Sequence, residues 1–536
     1  MANSNFGSYQ FQVSSSQNPN FQVSAIDGQE RLGQPYYFDI DVVSKVVGLN
    51  LEELMGKPAI LTISPPWNGK SNSYHGIVTR AESFSTTLDK YMHFRLRIEP
   101  SMTQLRQTIL NYVYTNTTQG YNLTSLLTTV FNRYSFQSGS NYQFTLNPPI
   151  MTRQFIMQFQ ESDFDFMQRW LEYEGAFYYF KQGSSCEEMV IIDDNMSFPT
   201  SVLNLKYIQQ GTMNKTQSSE ALMSFNAVQS LNMNTVQLQD YNYQHAQDIV
   251  DGKKQNNKAL WGQHFIFGGN LLKNSNAKKY AELRIEAGST FGMVVRGKTF
   301  VTGIAPGTLI SVSNHPVNSL NAKFRVVAVH HRGSQSGFGL NAAPQDTADG
   351  EGANFYTADL EVIPSDVQFR LSLTTPWPKI AGFLPAIIDG EGDSSIPQLD
   401  SQGRYKVKFP FAANSYSAGK ASTWIRMATP YGGGGEQGNS GLSFPLLIGT
   451  EVMLTFNNGD PDLPEIAGAL ANSITPNVVN NQNPSVNQMI SHANNQFQLD
   501  DTANTSGVRF LSNQGSMMFL GAFGGKFGAG SDGEGE

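Results

Sequence analysis

"FPLLIGTEVMLTFNNGDPDLPEIAGAL", residues 444–470, carries the reading that decides the fold. Val452, Leu454 and Phe456 stand at alternate positions, so a strand here turns all three to one side. Three carboxylates, Asp460, Asp462 and Glu465, then crowd into a turn that also holds Gly459, Pro461 and Pro464. Acids so close together could hold a metal, move protons or shape a loop. Asp and Asn side chains hydrogen-bond their own backbone in turns, glycine supplies unusual φ, and each proline fixes its φ at about −65°. No histidine or second acidic cluster adjoins them in the sequence, and another apolar run, "EIAGAL", follows at once. The stretch reads as strand, turn, strand.

Upstream, "PWPKIAGFLPAIIDGEG" (376–392) places Pro376, Pro378 and Pro385 at a domain entrance. From there to residue 470 short strands follow one another, each bounded by Gly or Pro. "GRYKVKFPF" (403–411) alternates Tyr405, Val407, Phe409 and Phe411 against Arg404, Lys406 and Lys408. About five strands in roughly 95 residues suit a small closed barrel such as an OB-fold, assigned to 371–472. Beyond it, 473–492 is an Asn/Pro-rich linker, too polar to fold alone. Short strands ("FQLDD", "GVRFLS", "MMFLGAF") and a glycine-rich acidic tail fill 493–536.

The N-terminal part also reads as strands. "YYFDIDVVS" (36–44), "PAILTI" (58–63), "YHGIVTRAESF" (74–84) and "YMHFRLRIEP" (91–100) are its pieces. In the last, Met92, Phe94, Leu96 and Ile98 share one face, and His93, Arg95 and Arg97 the other. A helix is expected over 122–133. A second lies within "QESDFDFMQRWLEYEGAFYYF" (160–180), where Ser162 and Asp165 form a capping pattern and Gly175 a left-handed end. A third spans 275–287. Strands are expected again at 299–304, 308–313, 323–333 and 354–364. The order strands, helix, strands, helix, strands suggests two similar barrel or sheet modules around an α/β insertion.

Composition excludes several classes of function. Only 15% of the 536 residues are charged, against about 25% in an ordinary soluble domain. The net charge is −8, with no basic run interleaved with aromatics, which argues against nucleic-acid binding. A single cysteine, Cys186, rules out an internal disulfide framework. The first residues lack a signal peptide's basic and apolar regions, and no apolar run reaches membrane-spanning length.

Motifs for chemistry are missing. "YGGGGEQGNSG" (431–441) lacks the lysine of a phosphate loop, and Gly438-Asn439-Ser440-Gly441 is one residue short of a nucleophile elbow. His330 and His331 are neighbours on an expected strand, so they point to opposite faces and cannot share an ion. None of the 44 acids sits in a hydrolase motif. No catalytic, cofactor or metal residue is assigned.

At family level, "RQFIMQFQESDFDFMQRWLEYEGAFYYF" (153–180) resembles the E-x-D-[FW]-x-F helix and E-x-E-G-x-x-Y ending of VgrG proteins, the spikes of type VI secretion systems. Gly403 and Arg404 match that family's G-R-[VY] strand start, and Trp424, Ile425 and Arg426 its W-[IV]-R strand. Pro445, Gly449, Glu451 and Val452 match its P-x-x-G-x-E-V turn. Gly459, Asp460, Pro461, Asp462 and Pro464 match its G-D-P-D-x-P loop. From Gly403 through Leu470 the match holds in order and spacing, and the likeness covers residues from about 20 to 520.

The resemblance implies a mainly β chain with α+β insertions. It would have two tandem β-barrel hub domains (1–110 and 206–370, the second with a helical insertion) separated by an α/β insertion (111–205). An OB-fold neck (371–472) and a short trimeric β-helix needle (493–536) would follow. It implies a structural homotrimer that docks on a hexameric tube protein and baseplate, carries a PAAR-type tip protein and effectors, and crosses a target membrane transiently. Such a protein is made in the bacterial cytoplasm and leaves without a signal peptide. The short C-terminal strands favour trimerisation physically, since copies would bury their edges. The needle portion is far shorter than usual in the family, and no toxic or lysozyme-like domain is seen. The rivals are the same architecture in a contractile phage, tailocin or extracellular injection particle, a secreted cell-wall or glycan hydrolase, and a carbohydrate-binding surface protein.

Overall fold

The computed structural model describes residues 8–17, 19–46, 48–65, 71–84, 92–208, 221–335, 355–412, 416–435, 438–504, 506–523 and 526–531. It forms two compact units, Met1–Ile380 with Asn458–Leu463, and Ala381–Asn457 with Pro464–Glu536. Of the expected strands, glycine run and tail, residues 91, 354, 436–437, 524–525 and 532–536 lie outside the described residues.

In the first unit the chain begins with β1 (Ser8–Val13), β2 (Gln22–Arg31), β3 (Gln34–Ser44), β4 (Pro58–Ser64), β5 (Asn72–Ser83) and β6 (Met92–Glu99). Alternation dictates their faces. Phe94, Leu96 and Ile98 are buried, while Arg97 and Arg95 turn outward onto Asp39 and Asp41 of β3 at 2.6–3.0 Å, each pair directly opposite in register. Next come β7 (Ile109–Thr115), helix α1 (Leu123–Asn132), β8 (Tyr142–Thr145), β9 (Phe155–Ser162), helix α2 (Asp163–Glu174), β10 (Phe177–Gln182) and β11 (Glu187–Ile192). β7 pairs with β9, and β8, β10 and β11 form a three-stranded sheet. Both helix ends expected for α2 are present: the Ser162 hydroxyl accepts the Asp165 N–H at 3.0 Å, and Gly175 has φ 73°.

The remaining elements of this unit are β12 (Val202–Tyr207), β13 (Ala221–Gln229), β14 (Thr235–Tyr241), β15 (Ile249–Gln255), β16 (Gln263–Phe267), helix α3 (Asn274–Ser289), β17 (Met293–Thr299), β18 (Leu309–Ser313), β19 (Lys323–Ser334) and β20 (Phe355–Pro364). The strand expected at 299–304 is not formed; the strand ends at Thr299, and Gly303, at φ 78°, sits in the turn that replaces it. β14–β16 make a small sheet on which α3 packs through Val236, Leu238, Val250, Ala277, Tyr280 and Ala281.

Twelve strands join in one sheet, in the order β1-β4-β5-β6-β3-β2-β19-β18-β12-β13-β17-β20. The first six close through β1–β2 and the last six through β19–β20. β2 and β19 are the seam between these halves, with seven residue pairs from Ala328↔Arg31 to Ser334↔Ala25. The two histidines point opposite ways at the seam, as their adjacency requires. His331 is buried against Glu30 (2.9 Å) and the Tyr356 hydroxyl (2.8 Å), and His330 faces Asp27 (3.0 Å) at the surface. Phe38, one of the largest side chains of the core, lies across Gly28, where a Cβ would run into its ring.

The second unit contains β21 (Leu384–Asp389), β22 (Lys406–Lys408), β23 (Gly432–Gly435), β24 (Gly438–Gly441), β25 (Glu451–Phe456) and β26 (Pro464–Leu470). Their sheet runs β22-β21-β25-β26, with single bridges Tyr405↔Ile425 and Met427↔Ile466 extending it. Within the glycine run, β23 and β24 pair antiparallel. Tyr405, Val407 and Phe409 are buried as the alternation demands, but Phe411 is not: a short 3-10 turn over Pro410–Ala412 takes it out of register and leaves it 39% exposed.

Five more strands, β27 (Val486–Ile490), β28 (Gln496–Asp500), β29 (Gly507–Leu511), β30 (Ser516–Phe523) and β31 (Lys526–Ser531), follow as one antiparallel meander. Strand structure therefore starts at Val486, inside the stretch expected as linker. Each neighbouring pair in the meander is antiparallel.

Candidate functional site

Helix α2 and the strand before it build a polar bed in the first unit. Arg169, 2% exposed, donates to the Glu161 carboxylate through two nitrogens (2.8 and 2.7 Å) and to the Met157 carbonyl (3.2 Å). Its guanidinium lies 4.1 Å from the centre of the Trp377 ring and 4.8 Å from that of Phe166. Arg153, also buried, stands over Trp170 (5.3 Å) and Tyr173 (5.2 Å) and donates to the Asn270 carbonyl. One turn beyond Arg169, the Glu172 carboxylate accepts the N–H groups of Thr374 (2.8 Å) and Thr375 (2.9 Å) and the Thr375 hydroxyl (2.8 Å). That grip fixes the segment carrying Trp377.

Residues Asn458–Leu463 belong to this unit although strands of the other unit flank them in sequence. Asn458 (φ 54°) and Gly459 (φ 74°) turn the chain, and the Gly459 carbonyl accepts the Ile380 N–H at 2.9 Å. Asp460 caps its own turn, accepting the Asp462 N–H at 3.0 Å, and also takes the Trp377 indole N–H at 3.1 Å. Asp462 turns inward, 6% exposed, and accepts the Met157 N–H at 2.6 Å. Burial, then the charge of Asp460, pushes the Asp462 carboxyl up to about 7. Burial likewise raises Glu161 and Glu174 above the ordinary carboxylate range. Asp462 is enclosed by backbone and cationic groups, so this is a place that holds a loop. Among the described residues no three His, Cys, Asp or Glu side chains converge as metal ligands.

The other residues matched in sequence lie apart from this loop. Gly403 (φ 73°) closes a turn with Asp400, whose carboxylate takes the Arg404 guanidinium at 2.6–2.7 Å. Trp424 is half-buried under Lys406, its ring centre 5.0 Å from Nζ, and Arg426 pairs with Glu465 (Nε at 3.0 Å). Pro445 is exposed, Gly449 has φ 92° and donates to the Ile388 carbonyl, Glu451 accepts from Asn472 (2.7 Å), and Val452 is fully buried. Pro461 is buried in the loop and Pro464 opens β26. The third acid of the opening stretch, Glu465, thus serves a different strand from Asp460 and Asp462.

Asp460 and Asp462 both lie in the expected turn, Asp460 bonding within it and Asp462 outward to β9. The bed of Met157, Arg153, Arg169 and Trp377 lies some 80 to 300 residues away in the chain, where no local pattern points to it. A separate open cleft of about 400 Å³ lies between the start of α1, residues 146–150 and α3, but its acids are engaged: Glu282 with Lys254 (2.6 Å) and Glu286 with Arg370 (2.8 Å).

Residues 29–337 match the model of the phage tail baseplate hub (GPD) family, and residues 395–470 the type VI secretion system/phage-baseplate injector OB domain. The type VI secretion system spike protein VgrG1c of Pseudomonas aeruginosa is 24% identical over 457 residues, 84% of this chain and 60% of the relative. The chain spans between about half and two thirds of the length of the curated relatives it matches. The fold is similar to that of the E. coli c3393 protein, a type VI secretion component with structural similarity to the T4 tail proteins gp27 and gp5 (TM-score 0.62, 20% identity, 86% of this chain and all of that one). It is also similar to a chain of the Francisella PdpA–VgrG complex (TM-score 0.64, 8% identity, 98% of this chain and 80% of that one).

Proposed function

The chain belongs to the phage tail baseplate hub family, and from that premise we propose that it is the homotrimeric hub and spike of a contractile secretion machine of the type VI kind, structural and without catalysis of its own. One observation carries the trimer. In the meander β27–β30, Met489, Phe497, Phe510 and Met518 lie side by side across four strands, and Leu499, Val508 and Leu520 extend the same face. No described residue of 486–521 is buried, so this apolar face stands open in a single chain. Two further copies would cover it, as in a needle whose three faces meet on one axis.

Other parts fit the same assignment. The twice-closed sheet supports two tandem hub barrels, over 1–110 and 206–370, which three copies would repeat six times to meet a hexameric tube. Residues 371–472 would be the neck and 493–536 the needle, with β27 extending it into the 473–492 linker. Baseplate proteins, a PAAR-type tip protein and effectors are the partners this role requires, and the target membrane a transient one. Assembly would take place in the bacterial cytoplasm and release would follow sheath contraction. Light scattering of the purified chain is expected to return about three times 59.1 kDa. A clean monomer at micromolar concentration overturns the spike reading.

A further inference from the structure

We infer that the open face of the β14–β16 sheet binds a neutral glycan, its aromatic side chains taking the C–H faces of sugar rings and its amides the hydroxyls. The inference does not rest on the trimer proposed above. α3 covers one face of this sheet through Val236, Leu238 and Val250. Alternation turns the intervening residues to the other face, and register sets them in rows across the three strands. Phe265, Gln237 and Lys253 make one row, and Phe267, Gln239 and Asp251 the next. Rings thus form one column, amides the second and opposite charges the third. Phe265 and Phe267 are 51% and 59% exposed, and Trp261, just before the strand, 66%.

The amide column is held in place. Gln237 and Gln239 both donate through Nε2 to the same Asp251 oxygen, at 2.7 and 2.8 Å. Those two bonds keep the Asp251 carboxyl below the ordinary carboxylate range, so it is ionised and can only accept. Each amide nitrogen must therefore face Asp251, and each carbonyl oxygen is turned away from it. Neither carbonyl accepts a hydrogen bond from a described residue. Chemistry then selects the occupant. An apolar protein surface would bury both carbonyls unpaired in the middle of the patch, which opposes its binding. Asp251 and Lys253 are neighbours on this face with opposite charges, so neither a polyanion nor a polycation is favoured. A sugar meets both demands. Its hydroxyls donate to the carbonyls, and its C–H groups are attracted by the negative face of an aromatic ring. Phe265 and Phe267, two residues and so about 7 Å apart along β16, leave room for successive rings of one chain.

Affinity electrophoresis of the full chain tests this, in native gels holding hydroxyethylcellulose, glycol chitin or dextran sulfate. The wild type is expected to be retarded by at least one of the two neutral polymers, and by dextran sulfate no more than by an empty gel. F265A/F267A, altered only at exposed positions, should keep its circular dichroism and lose at least about 10-fold in affinity. Q237L/Q239L, which keeps the rings and removes the acceptors, should weaken binding as well, whereas a face made for an apolar partner would bind better. Retardation that survives either double variant overturns the inference, as does a wild type that neither neutral polymer retards. Retardation by dextran sulfate alone assigns the face to polyanions and overturns it too. None of these outcomes bears on the mass in solution, which tests the trimer separately.

Discussion

At the scale of single residues, the Asp462 carboxyl lies enclosed between the Met157 N–H, Asp460 and the cations of Arg153 and Arg169. Its folded pKa, about 7, stands above the ordinary value near 4, so the folded chain holds this proton more tightly than the unfolded one. The stabilisation is complete below about pH 4 and is lost as pH rises through 7. Asp462→Asn keeps an acceptor for Met157 and removes the titration. Its melting temperature should exceed the wild type's at pH 8 by an amount equivalent to roughly 1–3 kcal/mol, with the gap closing towards pH 5. Parallel melting curves for the two proteins across that range would exonerate Asp462. Gly28 makes a second case: Gly28→Ala drives a methyl into the Phe38 ring at the seam and should cost about 1–3 kcal/mol, read from the urea midpoint. Neither effect was visible in the sequence. "GDPDLP" states its turn chemistry locally, but its packing partners come from strand β9 and Trp377, and no local pattern names them.

At the scale of elements, α2 shows why some structure could be read directly and some could not. Both of its ends are written within a few residues: Ser162 before the helix, Gly175 after it. Ser162→Ala removes the acceptor for the Asp165 N–H and should cost about 1 kcal/mol. Gly175→Ala should cost more, because φ 73° strains any side chain and the new Cβ would sit 2.8 Å from Leu283. Denaturant titration of both variants checks the order, and equal losses would contradict the role given to Leu283. The same helix buries Arg169 and Glu172, residues that read as surface from composition alone. Their partners, Trp377 and the Thr374–Thr375 backbone, lie more than 200 residues on. Strands behave likewise. The clean alternation of β6 was legible, whereas Phe411 left its pattern because a proline-initiated turn intervened, and β17 escaped notice because "MVVRGKT" does not alternate.

At the scale of the whole molecule, the open apolar face of the C-terminal meander decides how stability depends on concentration. An antiparallel sheet needs one covered face to persist in water, and the face holding Phe497, Phe510, Met489 and Met518 has no cover among the described residues. If copies supply it, folding of this segment is coupled to association. Mass action then raises the melting temperature of the meander with protein concentration, a shift that a monomeric fold does not show. Phe510→Glu with Met518→Glu places two charges at the centre of the face, where burial would cost several kcal/mol per unpaired charge. The double variant is expected to sediment as a monomer at micromolar concentration and to lose the concentration dependence. Its first unit should still melt cooperatively, because the 12-stranded sheet buries its own core. Scanning calorimetry at two concentrations a hundredfold apart separates the cases. A wild-type transition that stays fixed on dilution means that something other than copies of this chain covers the face. A shift that survives in the double variant means that association runs through another surface.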